Sequence, residues 1–193
     1  MNVASSLPDL QGRQRRITVD EYHRMIAAGV LGEDERVQLI SGKLVAMTPQ
    51  GAPHARVIQR LNRLLVRAVG DDLVVRPQLP LMLVDDSEPE PDLAVVRARD
   101  AESGELHPRT ALLVVEVAGE SLALDRRAKA VLYARAGIPE YWIVNLAEST
   151  VEVRREPDPA SGSYRTKVVA RGGDTLTAAS VPGLSIGVAD LFD

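Results

Sequence analysis

The 193-residue sequence predicts an α/β fold: a mixed central sheet flanked by helices, with extra antiparallel strands toward the C-terminus. Three observations carry this. Leu112 to Val117 is a near-continuous apolar run, the pattern of a strand covered on both faces. Apolar residues recur at helical spacing before it, from Val57 to Ala68, and a second helical stretch follows it from Ala123 to Ala136. Further on, the strand-forming segments Val151 to Arg154 and Tyr164 to Val169 are split by a turn-rich stretch from Pro157 to Gly162, which predicts an antiparallel annex.

With 45% hydrophobic residues the chain can bury one core, so a single domain over residues 17–193 is expected behind a flexible arm of residues 1–16. Thr18 and Glu21 form a capping box, and Tyr22, Met25 and Ile26 give the short helix after it an apolar face that runs to Gly29. Val37 to Ile40 and Leu44 to Met47 flank Ser41-Gly42-Lys43, the pattern of a hairpin. Pro53 opens the second helix, where its missing N–H costs nothing, and Gly70 ends it. Strands are expected at Leu73 to Val75, Leu79 to Val84 and Leu93 to Val96, the last directly after Pro91-Asp92. Gly137 and Pro139 close the Ala123 to Ala136 helix. Tyr141 to Val144 reads as another inner strand, and Val188 to Phe192 as a last short helix.

A formal net charge of -4 provides no global positive field, so a nucleic-acid partner would have to be met by a local patch. The absence of cysteine excludes disulfides, thiolate metal sites and thiol nucleophiles. The first residues lack the apolar run of a signal peptide and no later run reaches membrane-spanning length, so a cytoplasmic protein with no membrane partner is expected.

Two carboxylates occupy unusual places. Asp92 stands at the mouth of an apolar strand, and Glu116 lies inside one, where a carboxylate is costly unless it is hydrogen-bonded, ion-paired or bound to a metal. If the two strands pair, both can converge on one hard cation; a structural ion pair is the other reading. Asp125, Lys129 and Tyr133 fall at i, i+4 and i+8 and share a helical face. Lys129 could orient an attacking water there, or form a surface pair with Asp125. Arg56, Arg60, Arg63 and Arg67 step along the second helix as one basic stripe, read as a track for a phosphate backbone or as a solvated face.

Several motifs in order resemble the Uma-two family, bacterial restriction-endonuclease-like domains of the PD-(D/E)XK superfamily. They are Gln38 to Leu44, Pro53-His54, Pro91-Asp92-Leu93, Val115-Glu116-Val117, Asp125 through Lys129 to Tyr133, and Ala136 to Val144. The resemblance spans about Ile17 to Val153. It implies a PD-(D/E)XK restriction-endonuclease-like core and a magnesium or manganese ion held at Asp92, Glu116 and Val117. It further implies cleavage of DNA phosphodiester bonds by activated water, with Lys129 taking the role of a lysine otherwise expected two residues after the glutamate, where Ala118 stands. His54 matches a family histidine able to bond a phosphate or the attacking water, and a histidine near a helix start is also read as a surface residue. Gln38 stands where the family usually has glutamate, which implies one anionic ligand fewer and weaker metal binding; its other reading is a surface strand glutamine. Gly119-Glu120-Ser121 replaces a Ser-Pro-Ser-like segment.

Three functions follow for test: a metal-dependent DNA endonuclease, a catalytically weak or inactive nuclease-fold relative that binds nucleic acid or regulates, and an interaction protein whose Glu88-Pro89-Glu90-Pro91-Asp92 cluster merely caps a strand. A homodimer is also considered, with Tyr141-Trp142 or the C-terminal strands as the interface.

Overall fold

The computed structural model describes residues 15–32, 34–47, 49–104 and 106–192. Most of the expected N-terminal arm, Arg13 included, lies outside the described residues. Arg15 and Arg16 lie within them and pair with Glu21 and Asp86. Helix α1 (Val19–Ala27) begins at the expected capping box, with Thr18 and Glu21 each bonding the other's backbone N–H. The hairpin β1 (Val37–Ile40) and β2 (Lys43–Ala46) turns on Ser41 and Gly42, whose φ values of 48° and 72° give the doubly left-handed turn that matches strand twist. Helix α2 (Ala52–Ala68) follows, with Pro53 in its first turn.

Six strands form the central sheet in the order β3-β4-β5-β6-β7-β8. They are β3 (Leu73–Pro77), β4 (Leu93–Arg97), β5 (Leu113–Ala118), β6 (Glu140–Asn145), β7 (Thr150–Asp158) and β8 (Ser163–Ala170). Only β5 and β6 pair in parallel, so the sheet is mixed, and a helical crossover joins them. Between β4 and β5 lies the single turn α3 (Ala98–Ala101). The crossover runs through α4 (Leu122–Leu124), a π segment (Asp125–Lys129) and α5 (Ala130–Arg135). A separate antiparallel pair, β9 (Thr175–Ala178) and β10 (Val181–Gly187), precedes α6 (Ala189–Phe192).

Strand alternation assigns the two faces. Leu113, Val115 and Val117 of β5 join Val57, Ile58, Leu61 and Leu65 of α2 in one cluster, together with β9, β10 and α6. Val114 and Ala118 join Ala130, Leu132 and Tyr133 in the other. Glu116, between Val114 and Ala118 in this alternation, therefore faces the crossover helix. Leu61 and Leu65 are fully buried, and truncating either to Ala would cost about 2–5 kcal/mol.

Four sequence expectations need correction. Leu79 to Val84 is not a strand of the sheet: Pro80 has no N–H, the Leu81 N–H bonds Pro89 O, and the Met82 N–H bonds Pro108 O, so the donors go to two loops rather than one ladder. Its alternation is real, because Leu81 and Leu83 are buried. The helix expected from Ala123 to Ala136 carries the π segment, a wider turn that often marks functional sites. The strands around Val151 and Tyr164 are antiparallel, but they extend the central sheet; the detached pair is β9-β10. Finally, Tyr141 and Trp142 are fully buried on an inner strand and cannot form a subunit interface.

Candidate active site

β4 and β5 pair with Leu93 opposite Val115 and Ala94 opposite Val114, so one further step of the same register sets Asp92 opposite Glu116. Both line one cavity of about 370 Å³. Asp92 Oδ2 accepts the Val117 N–H at 2.7 Å and lies 3.2 Å from His54 Nε2. Glu116 Oε1 accepts Lys129 Nζ at 2.8 Å and the Tyr133 hydroxyl at 2.7 Å. Lys129 also approaches Asp125 Oδ1 at 3.7 Å, while Asp125 Oδ2 takes the Ser121 hydroxyl at 2.7 Å. Asp92, Glu116 and Lys129 thus meet, and the surface reading of Lys129 is wrong, since its side chain is 6% exposed.

Burial sets the direction for the two carboxyl groups, and neighbouring charge sets it for the two cations. Burial pushes the Glu116 carboxyl up to about 8 against the opposing pull of Lys129. Burial likewise raises Asp125, again opposed by Lys129. Burial alone would lower Lys129, but Glu116 and Asp125 outweigh it and hold the ammonium above its ordinary value. For His54, burial acts downward and the hydrogen bond and charge of Asp92 win, so the imidazole is raised.

Gln38 also lines the cavity. At 5% exposure it is not the surface glutamine of the alternative reading, and its Oε1 accepts the Glu90 N–H at 3.3 Å. Glu90 lines the same cavity and pairs with Arg36 at 3.1 Å. Its presence was not foreseen, although Glu88-Pro89-Glu90-Pro91-Asp92 held the signal: in an extended chain, residues two apart share a side.

Residues 19–189 match the family profile Uma2, described as "Putative restriction endonuclease". The chain belongs to the Uma2 family. It is also similar to the crystal structure of "a putative nuclease belonging to DUF820" from Anabaena variabilis ATCC 29413. The TM-score is 0.71 with 19% sequence identity, covering 91% of this chain and 97% of that one. At that identity the likeness is one of fold. Among curated proteins none matches.

The Uma2 assignment brings a restriction-endonuclease-like nuclease family and, with it, the question of a divalent cation. Among the described residues no three His, Cys, Asp or Glu side chains are gathered to hold a metal by themselves. The donors nonetheless fit a hard cation that keeps most of its waters, which needs only one or two carboxylates. Hydrogen bonds among the described residues engage one oxygen each of Asp92 and Glu116, and two carboxyl groups, Glu116 and Asp125, lie within 4 Å of the Lys129 ammonium. Val117 lines the cavity too, and its backbone carbonyl is its one hard donor.

The arginine stripe is not part of this cavity. Arg56, Arg60, Arg63 and Arg67 are absent from its lining, although His54 and Pro53 of the same helix belong to it. Arg60 is tied to the Leu191 carbonyl at 3.4 Å, and Arg56, Arg63 and Arg67 are exposed. The Tyr133 hydroxyl, aimed at Glu116, was visible in sequence only as a shared helical face.

Proposed function

We propose that the chain is a magnesium- or manganese-dependent endonuclease that hydrolyses DNA phosphodiester bonds. The observation that carries this reading is the meeting of Asp92, Glu116 and Lys129 in one cavity, on the register of two neighbouring strands. Asp92, Glu116 and the Val117 carbonyl would hold the cation. When bound, the cation polarises the phosphoryl group and lowers the pKa of water. Lys129 orients the attacking water and offsets charge that develops on the phosphate. Tyr133 and Lys129 fix the Glu116 carboxylate by donating to one of its oxygens, and His54 does the same for Asp92.

A cytoplasmic setting belongs to the same proposal; no helix of the described residues is long and apolar enough to cross a membrane. A homodimer joined through the C-terminal strands, where β8 is a sheet edge, would bring two clefts to one duplex.

One observation favours a second reading, a nuclease-fold relative that binds nucleic acid with weak or no cleavage. Gln38 puts a neutral amide in the cavity and uses its oxygen on the Glu90 backbone. Incubating supercoiled plasmid with the protein and magnesium, with a chelator as control, separates the two. Nicking or linearisation that disappears in Asp92→Asn and Glu116→Gln supports the endonuclease. Binding without any magnesium-dependent cut favours the second reading.

A further inference from the structure

Beside the crossover helix, over β7 and β8, lies a groove of about 690 Å³ whose lining includes Arg126, Arg127, Arg154 and Lys167, with Ser163 and Tyr164. None of the residues lining it is Asp or Glu. Beneath it Glu152, buried at 2% exposure, takes Arg126 Nε at 2.5 Å, Arg154 Nη2 at 3.0 Å and Lys167 Nζ at 3.1 Å. A single carboxylate needs no more than one or two cations, so four basic side chains leave a surplus of positive charge. Arg127 is exposed and makes no ion pair among the described residues, and the buried Arg154 Nε has no hydrogen-bond partner among them. On a chain with net charge -4, such a patch costs self-repulsion unless an anion completes it.

The groove also has a defined relation to the cleft. Within the π segment, Asp125 and Lys129 turn toward Glu116, while Arg126 and Arg127 line the groove. One helical segment is therefore the wall of both. Guanidinium groups suit phosphate oxygens in a fork geometry, and repeated phosphates suit cations spread along a groove.

We propose that this groove binds the phosphate backbone of the nucleic acid whose diester enters the cleft, holding the substrate strand without reading its bases. The proposal rests on the nuclease reading above. Arg127→Ala and Lys167→Ala test it well, because Arg126 and Arg154 remain to partner Glu152 and keep the fold. Fluorescence anisotropy with a labelled DNA duplex, in chelator so that nothing is cut, would be titrated over a series of salt concentrations. The double variant should bind about tenfold more weakly, and its log-log salt slope should flatten by about 2, roughly 0.9 for each phosphate no longer neutralised. Magnesium-dependent hydrolysis of bis(p-nitrophenyl) phosphate, too small to span groove and cleft, should stay at the parent rate.

An unchanged salt slope in the double variant overturns the groove assignment whatever the small diester shows. So does a slope that flattens only in Arg63→Ala/Arg67→Ala on α2, which would move the phosphate track to that helix. Competition by inorganic phosphate as effective as by duplex, phosphate for phosphate, would mean a free-phosphate site and would also overturn it. A parent that fails to hydrolyse the small diester but keeps the flattened slope in its double variant counts against the nuclease reading and supports the groove.

Discussion

Lys129 Nζ lies 2.8 Å from Glu116 Oε1, and both side chains are buried, one on the π segment and one on an inner strand. The lysine is the cation nearest a carboxyl group that burial has already pushed up to about 8. Lys129→Met should therefore act on stability as well as on turnover. Stripping one partner from a buried pair costs about 3–5 kcal/mol when the other stays charged. Protonation of Glu116 relieves part of that cost. A carboxyl whose folded value is raised costs stability as pH climbs from its unfolded value of 4.5 toward its folded one, and without Lys129 that folded value rises further. Urea unfolding in chelator should show a gap between parent and variant that widens above about pH 8. A gap independent of pH would mean that the pair does not govern the titration of Glu116.

Gln38→Glu adds an anionic oxygen to the cavity where the amide now accepts the Glu90 N–H. Magnesium should bind more tightly, on the order of tenfold, or about 1.4 kcal/mol. Cleavage should rise with it. Without metal the variant should be less stable than the parent, because it buries a further carboxyl group in a cavity already lined by Glu90, Asp92 and Glu116. Calorimetric titration of magnesium into both proteins decides; equal affinity would place position 38 outside the metal's reach.

Glu152 gives a prediction of opposite sign. Burial pushes its carboxyl up, but the hydrogen bonds from Arg154, Arg126 and Lys167 outweigh that and hold it below the ordinary 4.5. A lowered folded value contributes stability that is present above 4.5 and lost as pH falls through the folded value. Glu152→Gln should lower the unfolding midpoint at neutral pH, and the difference from the parent should shrink on acidification below 4.5. A difference that stays constant into acid would show that the carboxylate's charge is not what the three cations stabilise.

Much of the site was legible because its residues sit in ordered motifs. Asp92 and Glu116 were marked by their placement against apolar strands, and Lys129 by its i+4 step from Asp125. Their meeting needed the β4-β5 register, which no local pattern encodes. The basic groove escaped notice for a related reason. Arg126 and Arg127 come from a helix and Arg154 and Lys167 from two strands, so they have no common period, whereas the four arginines of α2 have an obvious one and none lines the cavity. Leu79 to Val84 showed strand-like alternation because Leu81 and Leu83 do point into a core, but hydrogen-bond partners are set by tertiary placement rather than by alternation.

In the proposed endonuclease, Asp92 and Glu116 hold one divalent cation together. Isothermal titration of magnesium, with manganese in parallel, into the parent, Asp92→Asn, Glu116→Gln and the double variant tests it most directly. One site in the parent, lost or weakened at least about tenfold by either substitution, is the expected result, and the loss in the double variant departs from the sum of the two single losses, because ligands of one ion are coupled. Parent-like affinity in both single variants, with the fold intact, would contradict the account.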